Sequence, residues 1–380
     1  MILSYQYRLY PKEAQIQALN DLLEQARQLY NAALEERREA WLMVGVSLNY
    51  VSQANQLKEI RIADPDGLGK LNFSACQQIL RRLEKSFSAF FRRIKAGEKP
   101  GFPRFKSRSR FRSLEFRFGD GASLKGDRLR IQGVGEIRAF FHRPIPEDAK
   151  IKAAVVRRDS LGQWFATFQL EVPDSKPEAH SGEPVGIDLG VTTLVALSTG
   201  ELIEAPRHFR KTEKKLRRQQ RRLSRRKKFS LRWHRARKQV AKTHRRITNQ
   251  RKDFSHKLSR RLVNEFSLVA VEDLNVNGLS RSKLAKSIHD AGWSQLLAHL
   301  SFKAESAGSK VVAVDPRYTS QICSDCGSLV PKKLSVRVHR CPECGLVIDR
   351  DHNAAINILH RALLGPDGAS VRQRIPAGTA

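Results

Sequence analysis

The sequence predicts an α+β chain of several domains: an N-terminal β-barrel interrupted by a helical bundle, then an α/β domain with a small cysteine module set into it. Three observations carry this reading. Residues 3 to 9 alternate apolar and polar side chains, and strand-and-turn segments return only after residue 105. The stretch between them has apolar residues at helical spacing. Beyond a segment rich in Pro, Ser, Glu and Gly, apolar strands ending in carboxylates alternate with helices, and four cysteines are spaced in pairs.

The first strand places Leu3, Tyr5, Tyr7 and Leu9 on one face and Ser4, Gln6 and Arg8 on the other. Pro11 then opens a long helix, where proline in the first turn forfeits no needed hydrogen bond. Its stripe runs through Ile16, Leu19, Leu22, Leu23, Leu29, Tyr30, Ala33 and Leu34. A second helix is expected over about 74 to 95, with Ile79, Leu80, Leu83, Phe87, Phe90, Phe91 and Ile94 in register, ended by Gly97, Pro100, Gly101 and Pro103. Strands follow at Ser113 to Phe118, Arg128 to Val134, Glu136 to Phe141, Lys150 to Arg157 and Trp164 to Val172. The simplest arrangement is a barrel of residues 1–10 and 96–175, with residues 11–95 inserted as the helical part. The boundary falls within Pro173 to Pro184.

In the second half, a strand ends at Gly186-Ile187-Asp188-Leu189-Gly190, and a hairpin runs through Val195-Ala196-Leu197 with a turn at Thr199-Gly200. A very basic helical pair spans about 207 to 265. Within residues 207–228, 13 of 22 are Lys or Arg, and Glu213 is the one acidic residue. Phe209, Leu216 and Leu223 fall seven apart, as do Val240, Ile247 and Phe254, so each helix keeps a narrow apolar seam. Ordinary helical hairpins mix charge signs for ion pairs, and this one hardly does, so a nucleic-acid contact outweighs a merely solvated face. The strand Ser267 to Asp273, a helix from about 292 to 306, the strand Lys310 to Val314 and a last helix from Asp351 to Leu364 complete the domain. Gly365 to Ala380 reads as a loose tail.

The 380 residues hold 70 Lys+Arg against 38 Asp+Glu, a formal charge of +32. Such a chain repels itself, and phosphate neutralisation relieves that repulsion, so a nucleic-acid partner is expected. An apolar share of 40% excludes a wholly disordered chain. The longest apolar run, Trp41 to Val46, is far short of the roughly 18 residues a bilayer span needs. The opening residues carry no secretory pattern, so a soluble, cytoplasmic protein without membrane attachment is expected.

Cys323-x2-Cys326 and Cys341-x2-Cys344 are each followed by a glycine, Gly327 and Gly345. Two such knuckles suit one tetrahedral Zn²⁺, and nothing else in the chain suggests export and disulfides. Cys76 reads as a small core residue of the 74–95 helix. Three carboxylates sit on three elements: Asp188, Glu272 and Asp351. Singly, each has an ordinary explanation as a turn former, a strand-end charge or a helix cap. Together they suit hard Mg²⁺ ions at a two-metal phosphoryl-transfer site. Asp273 must face away from Glu272 if the strand continues, while Asp349 remains a rival to Asp351.

In order along the chain, Tyr7-Arg8-Leu9-Tyr10-Pro11, Pro100-Gly101-Phe102-Pro103-Arg104-Phe105-Lys106, Gly186 to Gly190, Val271-Glu272-Asp273-Leu274-Asn275, Thr319 to Gly327 with its zinc knuckle, and Asp349-Arg350-Asp351-His352-Asn353-Ala354-Ala355 resemble TnpB proteins. These are transposon-encoded, RNA-guided DNA endonucleases related to type V CRISPR effectors. The resemblance spans nearly the whole chain. It implies an RNase H-like (RuvC) nuclease domain over 184–380, with the zinc ribbon inserted at 319–348. It also implies Asp188, Glu272 and Asp351 as catalytic Mg²⁺ ligands, and it selects Asp351 over Asp349. The partners it implies are a transposon-derived guide RNA and target DNA bearing a short adjacent motif. Gln77 and Gln78 become candidates for base contact there, since amide side chains pair with adenine edges. Arg217, Arg218, Arg221, Arg222, Arg225 and Arg226 are candidate phosphate contacts. A guide-independent transposase would use the same acids, and a non-catalytic binding protein would keep only the basic surface.

Overall fold

The computed structural model describes residues 1–173, 177, 180–279, 285–333 and 335–364, grouped in two units, Met1–Asp174 and Ser175–Ala380. The expected tail from Gly365 to Ala380, and part of the boundary segment from Pro173 to Pro184, lie outside the described residues.

In the first unit, β1 (Ile2–Tyr10) follows its alternation: Tyr7 and Leu9 are fully buried and Leu3 and Tyr5 pack partly against the same core. Then come α1 (Glu13–Val44), α2 (Tyr50–Ala63) and α3 (Phe73–Lys95), followed by β2 (Ser113–Phe118), β3 (Gly121–Lys125), β4 (Arg128–Ile131), β5 (Gly135–Phe140), β6 (Lys150–Arg158) and β7 (Trp164–Glu171). The strands close into a barrel in the order β1-β5-β4-β3-β2-β6-β7. β1 pairs antiparallel with both β5 and β7, so the helices are an insertion between the barrel's first strand and the rest. The barrel fills with Phe116, Leu129, Ile131, Ile137, Val156 and Phe168, which share one core with the inner faces of α1 and α3.

Two elements of the first unit escape the sequence pattern. α2 buries only Gln53 and Leu57, while Val51, Ile60 and Ile62 face solvent, so it shows no apolar stripe. Its start is fixed by Asn49, whose side chain accepts from the Ser52 amide. β3 opens on glycine and buries only Ala122, too little for a visible alternation. The expected strand 128–134 stops at Ile131, because residues 132–134 turn into β5.

The second unit runs β8 (Pro184–Leu189), β9 (Thr193–Leu197), β10 (Leu202–Glu204), α4 (His208–Ser224), α5 (Leu231–Glu265), β11 (Leu268–Glu272), α6 (Val276–Leu279), α7 (Ala285–Ala291), α8 (Trp293–Ala307), β12 (Lys310–Val314), β13 (Val338–Arg340), β14 (Val347–Asp349) and α9 (Arg350–Leu363). Five strands form one sheet in the order β10-β9-β8-β11-β12, with β8, β11 and β12 parallel. Side-chain parity divides the faces. Val185, Ile187, Leu189, Val269, Val271, Val311 and Ala313 pack with Leu258, Leu262 and Val263 of α5 and Leu296 and Leu300 of α8. Leu268, Ala270, Val312 and Val314 pack with Ile358 and Ala362 of α9. Gly186 also belongs to the α9 side: a Cβ there would stand 2.0 Å from the Ala355 carbonyl oxygen, so glycine lets helix and strand touch.

Candidate active site and metal centre

Parity places the acids. Asp188 falls two residues after Gly186, and Glu272 two after Ala270, so both belong to the α9 face. The parallel register pairs Val271 with Ile187, and the next step sets Glu272 beside Asp188 at the carboxyl ends of adjacent strands. Neighbouring strands are about 4.8 Å apart, close enough for the two charges to be felt. β11 ends at Glu272, so the strand parity stops one residue short of Asp273, whose amide donates to the Val314 carbonyl at 2.8 Å.

Asp351, in the first turn of α9, supplies the third carboxylate and is 7% exposed. A methyl group added to Gly190, just beyond Asp188, would lie 3.9 Å from Asp351 Oδ2. Burial, then the charges of Glu272 and Asp351, hold the Asp188 carboxyl well above the usual carboxylate range, with Arg350 the opposing charge. Burial also raises Glu272, against a hydrogen bond from Thr319 and the charge of Arg361. Asp349 does different work. It is the N-cap of α9, and its Oδ1 accepts from the amides of Asp351 at 2.9 Å and His352 at 3.1 Å.

Three residues around the acids had no role in the sequence reading. Arg350 donates from Nε (3.1 Å) and Nη2 (2.8 Å) to Asp351 Oδ1, and from Nη1 to the Val336 carbonyl at 3.0 Å. Arg337 reaches Asp351 Oδ2 at 3.5 Å. The Thr319 hydroxyl donates to Glu272 Oε1 at 2.5 Å. Arg350 and Thr319 lie inside motifs visible in the sequence, but no periodicity or spacing says which way they point.

The thiols are gathered differently. Cys323, Cys326, Cys341 and Cys344 are unpaired, and their sulfurs all lie within 4.8 Å of one another. Cys323 Sγ is 3.6 Å from Cys344 Sγ and Cys326 Sγ is 3.5 Å from Cys341 Sγ. Those separations exceed a disulfide's roughly 2 Å and approach the roughly 3.8 Å edge of a zinc tetrahedron with 2.3 Å bonds. The two knuckles repeat one backbone pattern: the Gly327 amide donates to the Cys323 carbonyl, and the Gly345 amide to the Cys341 carbonyl. Both glycines have φ of +77°, which a side chain would oppose. Hydrogen bonding to Ser328 draws the Cys326 thiol down to about 6, while Cys344, despite a backbone hydrogen bond at Leu346, is pushed up to about 12 by burial and by the three neighbouring thiols, so that the cluster shares its protons unevenly. Among the described residues these four cysteines are the one group of three or more His, Cys, Asp or Glu side chains gathered closely enough to hold an ion as they stand. The three acids are less tightly drawn together.

α4 and α5 form the basic pair. Leu216 and Ile247 are buried along its seam, with Phe209, Leu223, Val240 and Phe254 half-buried. Arg218, Arg221, Arg222 and Arg225 are exposed, Arg226 is half-exposed, and none of these five makes an ion pair among the described residues. Arg217 is exposed but engages Glu213 at 3.1 Å. The N-terminus of α4 is fixed from outside, since the Phe209 and Arg210 amides donate to the buried Asp290 carboxylate at 2.8 and 3.1 Å. In the first unit Gln77 and Gln78 are half-buried on the second turn of α3, while Cys76 is fully buried with burial pushing its thiol up to about 11.

With this arrangement in view, similarity to known proteins is informative. Residues 167–283 match the family described as "Probable transposase", and residues 293–358 match the "Cas12f1-like, TNB domain". Residues 1–43 match a "Helix-turn-helix domain", although here they form β1 and a single long helix. A protein of Streptomyces pristinaespiralis named "Putative RNA-guided DNA endonuclease" is 37% identical over 365 residues, covering 95% of this chain and 89% of that one. The chain belongs to the TnpB family. Within it, InsQ of Escherichia coli (strain K12), named in the same way, is 31% identical over 376 residues, covering 94% and 91%. This TnpB chain shares its fold with Cas12f1, solved as a complex with sgRNA and target DNA, at a TM-score of 0.56 and 18% identity, covering 89% of this chain and 81% of that one. Among the described residues, no helix of this family member is long and apolar enough to cross a membrane.

Proposed function

We propose that this protein is an RNA-guided DNA endonuclease whose second unit is an RNase H-like (RuvC) nuclease domain. The observation that carries the reading is the parity of β8 and β11, which aligns Asp188 and Glu272 beneath Asp351 in a chain with relatives named for that activity. The cluster fits divalent magnesium, being three hard oxygen donors of which one, Asp188, has its carboxyl raised by burial and by the charges of the other two, a cost that a bound cation would relieve. Bound there, magnesium would lower the pKa of a water and stabilise the leaving oxygen of a phosphodiester. Asp188 and Glu272 offer ligand oxygens from the strand ends, Asp351 offers a third from α9, and Arg350 holds the Asp351 carboxylate in one orientation. One zinc on the four thiolates keeps the ribbon folded. The unpaired arginines of α4 contact phosphates, with Arg217 contributing after release from Glu213, and Gln77 and Gln78 read base edges beside the target. A guide RNA supplies sequence by pairing, and the protein holds the heteroduplex by its backbone.

The test is to express the protein together with the DNA flanking its gene and sequence the nucleic acid that co-purifies. One discrete RNA from the element's end with a variable 3′ segment is the expected result, and that RNA should direct cutting that leaves broken ends. A heterogeneous smear, or joined DNA products without RNA, would favour the transposase reading instead.

A further inference from the structure

Thr319 lies between β12 and the first zinc knuckle, is 3% exposed, and belongs to no regular element. Its hydroxyl carries one proton and has two acceptors in reach, Glu272 Oε1 at 2.5 Å and the Pro316 carbonyl at 3.1 Å. The shorter contact has the length of a charge-assisted O–H···O⁻ bond. Glu272 sits at the end of a strand on a side chain with three rotatable bonds, so a fixed hydroxyl is what selects among its rotamers.

The backbone around Thr319 is over-determined. Tyr318, immediately before it, adopts φ of +60°, a conformation that costs a non-glycine residue free energy and persists only where surroundings impose it. Those surroundings come from α9. Asn357, 7% exposed, spends both hydrogens of its amide nitrogen on this segment, donating to the Thr319 carbonyl at 2.8 Å and the Ile322 carbonyl at 2.7 Å. One turn earlier, the fully buried Asn353 donates to the same Ile322 carbonyl at 2.7 Å and accepts from the Ser324 amide at 3.0 Å. These bonds bracket Cys323, the first thiol of the ribbon. One helix therefore carries Asp351 on its first turn and, from Asn353 on that turn and Asn357 on the next, grips the segment that holds Glu272.

We propose that Thr319 is a positioning residue for Glu272, and that the first zinc knuckle, gripped by Asn353 and Asn357, keeps its hydroxyl in place. This rests on the reading of the acid cluster as the divalent-metal site. Outer residues that orient a metal ligand typically contribute about 10- to 100-fold in metal affinity.

The experiment is titration of full-length, zinc-loaded protein with Mn²⁺ alone, followed by electron paramagnetic resonance, with zinc content measured on each sample. Thr319→Val keeps the side chain's shape without its hydroxyl and should weaken Mn²⁺ binding about tenfold. Thr319→Ser should restore it to within about threefold of the parent, and both variants should retain their zinc. Unchanged Mn²⁺ affinity in Thr319→Val, while the parent binds normally, would overturn the role of Thr319 and leave the metal-site reading standing. A serine variant no better than valine would overturn it as well, because packing rather than the hydroxyl would then be at work. If the parent itself binds no Mn²⁺, the acid-cluster reading and this proposal fail together.

Discussion

Cys323 and Cys326 are brought together by a single tight turn, whereas Asp188 and Glu272 are far apart in sequence and meet because β8 and β11 pair. The second unit thus holds two side-chain clusters built by opposite routes. The thiols are drawn within 4.8 Å of one another by two copies of one local knuckle, with Cys323 and Cys341 buried and Cys326 and Cys344 exposed. The carboxylates come from two strand ends and a helix start, are less tightly drawn together, and receive hydrogen bonds from Thr319, Arg350 and Arg337. Four thiolates fill a tetrahedral ion's coordination and suit holding structure, whereas a looser set of oxygen donors leaves positions for a substrate phosphate. Substitutions should therefore separate the two, fold from one and chemistry from the other.

The largest separation is expected on the thiol side. Cys341→Ser removes a buried ligand, and it should release zinc and unfold the ribbon, a loss of several kcal/mol given the roughly 10–16 kcal/mol that structural zinc supplies in small domains. Zinc analysis and a thermal melt check this, and Asp188→Ala should keep its zinc and lose no stability. Next is Gly186→Ala, which drives a methyl into the Ala355 carbonyl and should push α9 off the sheet at a cost of about 3 kcal/mol. It should reduce cleavage through displacement of Asp351 while zinc content stays constant.

A smaller effect has the opposite sign. Asp188 has a raised pKa in the fold, so its contribution to stability is complete below the unfolded value near 4 and is lost as pH rises through the folded value. Asp188→Asn should accordingly stabilise the metal-free protein at pH 7, by about 1–2 kcal/mol or a few degrees in Tm, and the gain should vanish on acidification. The same shift predicts that protons compete with divalent-ion binding to the metal-free protein at a higher pH than at an ordinary carboxylate, which a Mn²⁺ titration at several pH values checks. The smallest effect is on the basic pair: Arg222→Ala should lower RNA affinity less than tenfold and reduce the salt slope by about one, measured by binding titrations at several ionic strengths.

The sequence was most informative where one element makes its own case. The β1 alternation, the apolar stripes of α1 and α3, and the cysteine pairs are local patterns, and the described structure contains each of them. α2 was illegible because its apolar residues do not line one face, and β3 because it is short and three of its five residues are polar or glycine. The acids occupied a middle ground. Their placement at strand ends was visible, but that Asp188 and Glu272 share a face depends on the register of strands distant in sequence. Asp349 and Asp351 were separable only by resemblance, and the structure adds that Asp349 caps α9. Thr319 could not be read at all, since its importance lies in a contact across the sheet's edge and not in any spacing.

The central claim, that the acid cluster cuts DNA while other surfaces bind it, is tested most directly by Asp188→Ala purified with its co-expressed RNA. A carboxylate-to-methyl change removes one oxygen ligand set and leaves the basic surface intact. The account predicts that cleavage of matched DNA falls by at least about a thousandfold, with the amount and sequence of bound RNA unchanged. Retained cleavage, or loss of RNA in parallel with loss of cutting, would contradict it.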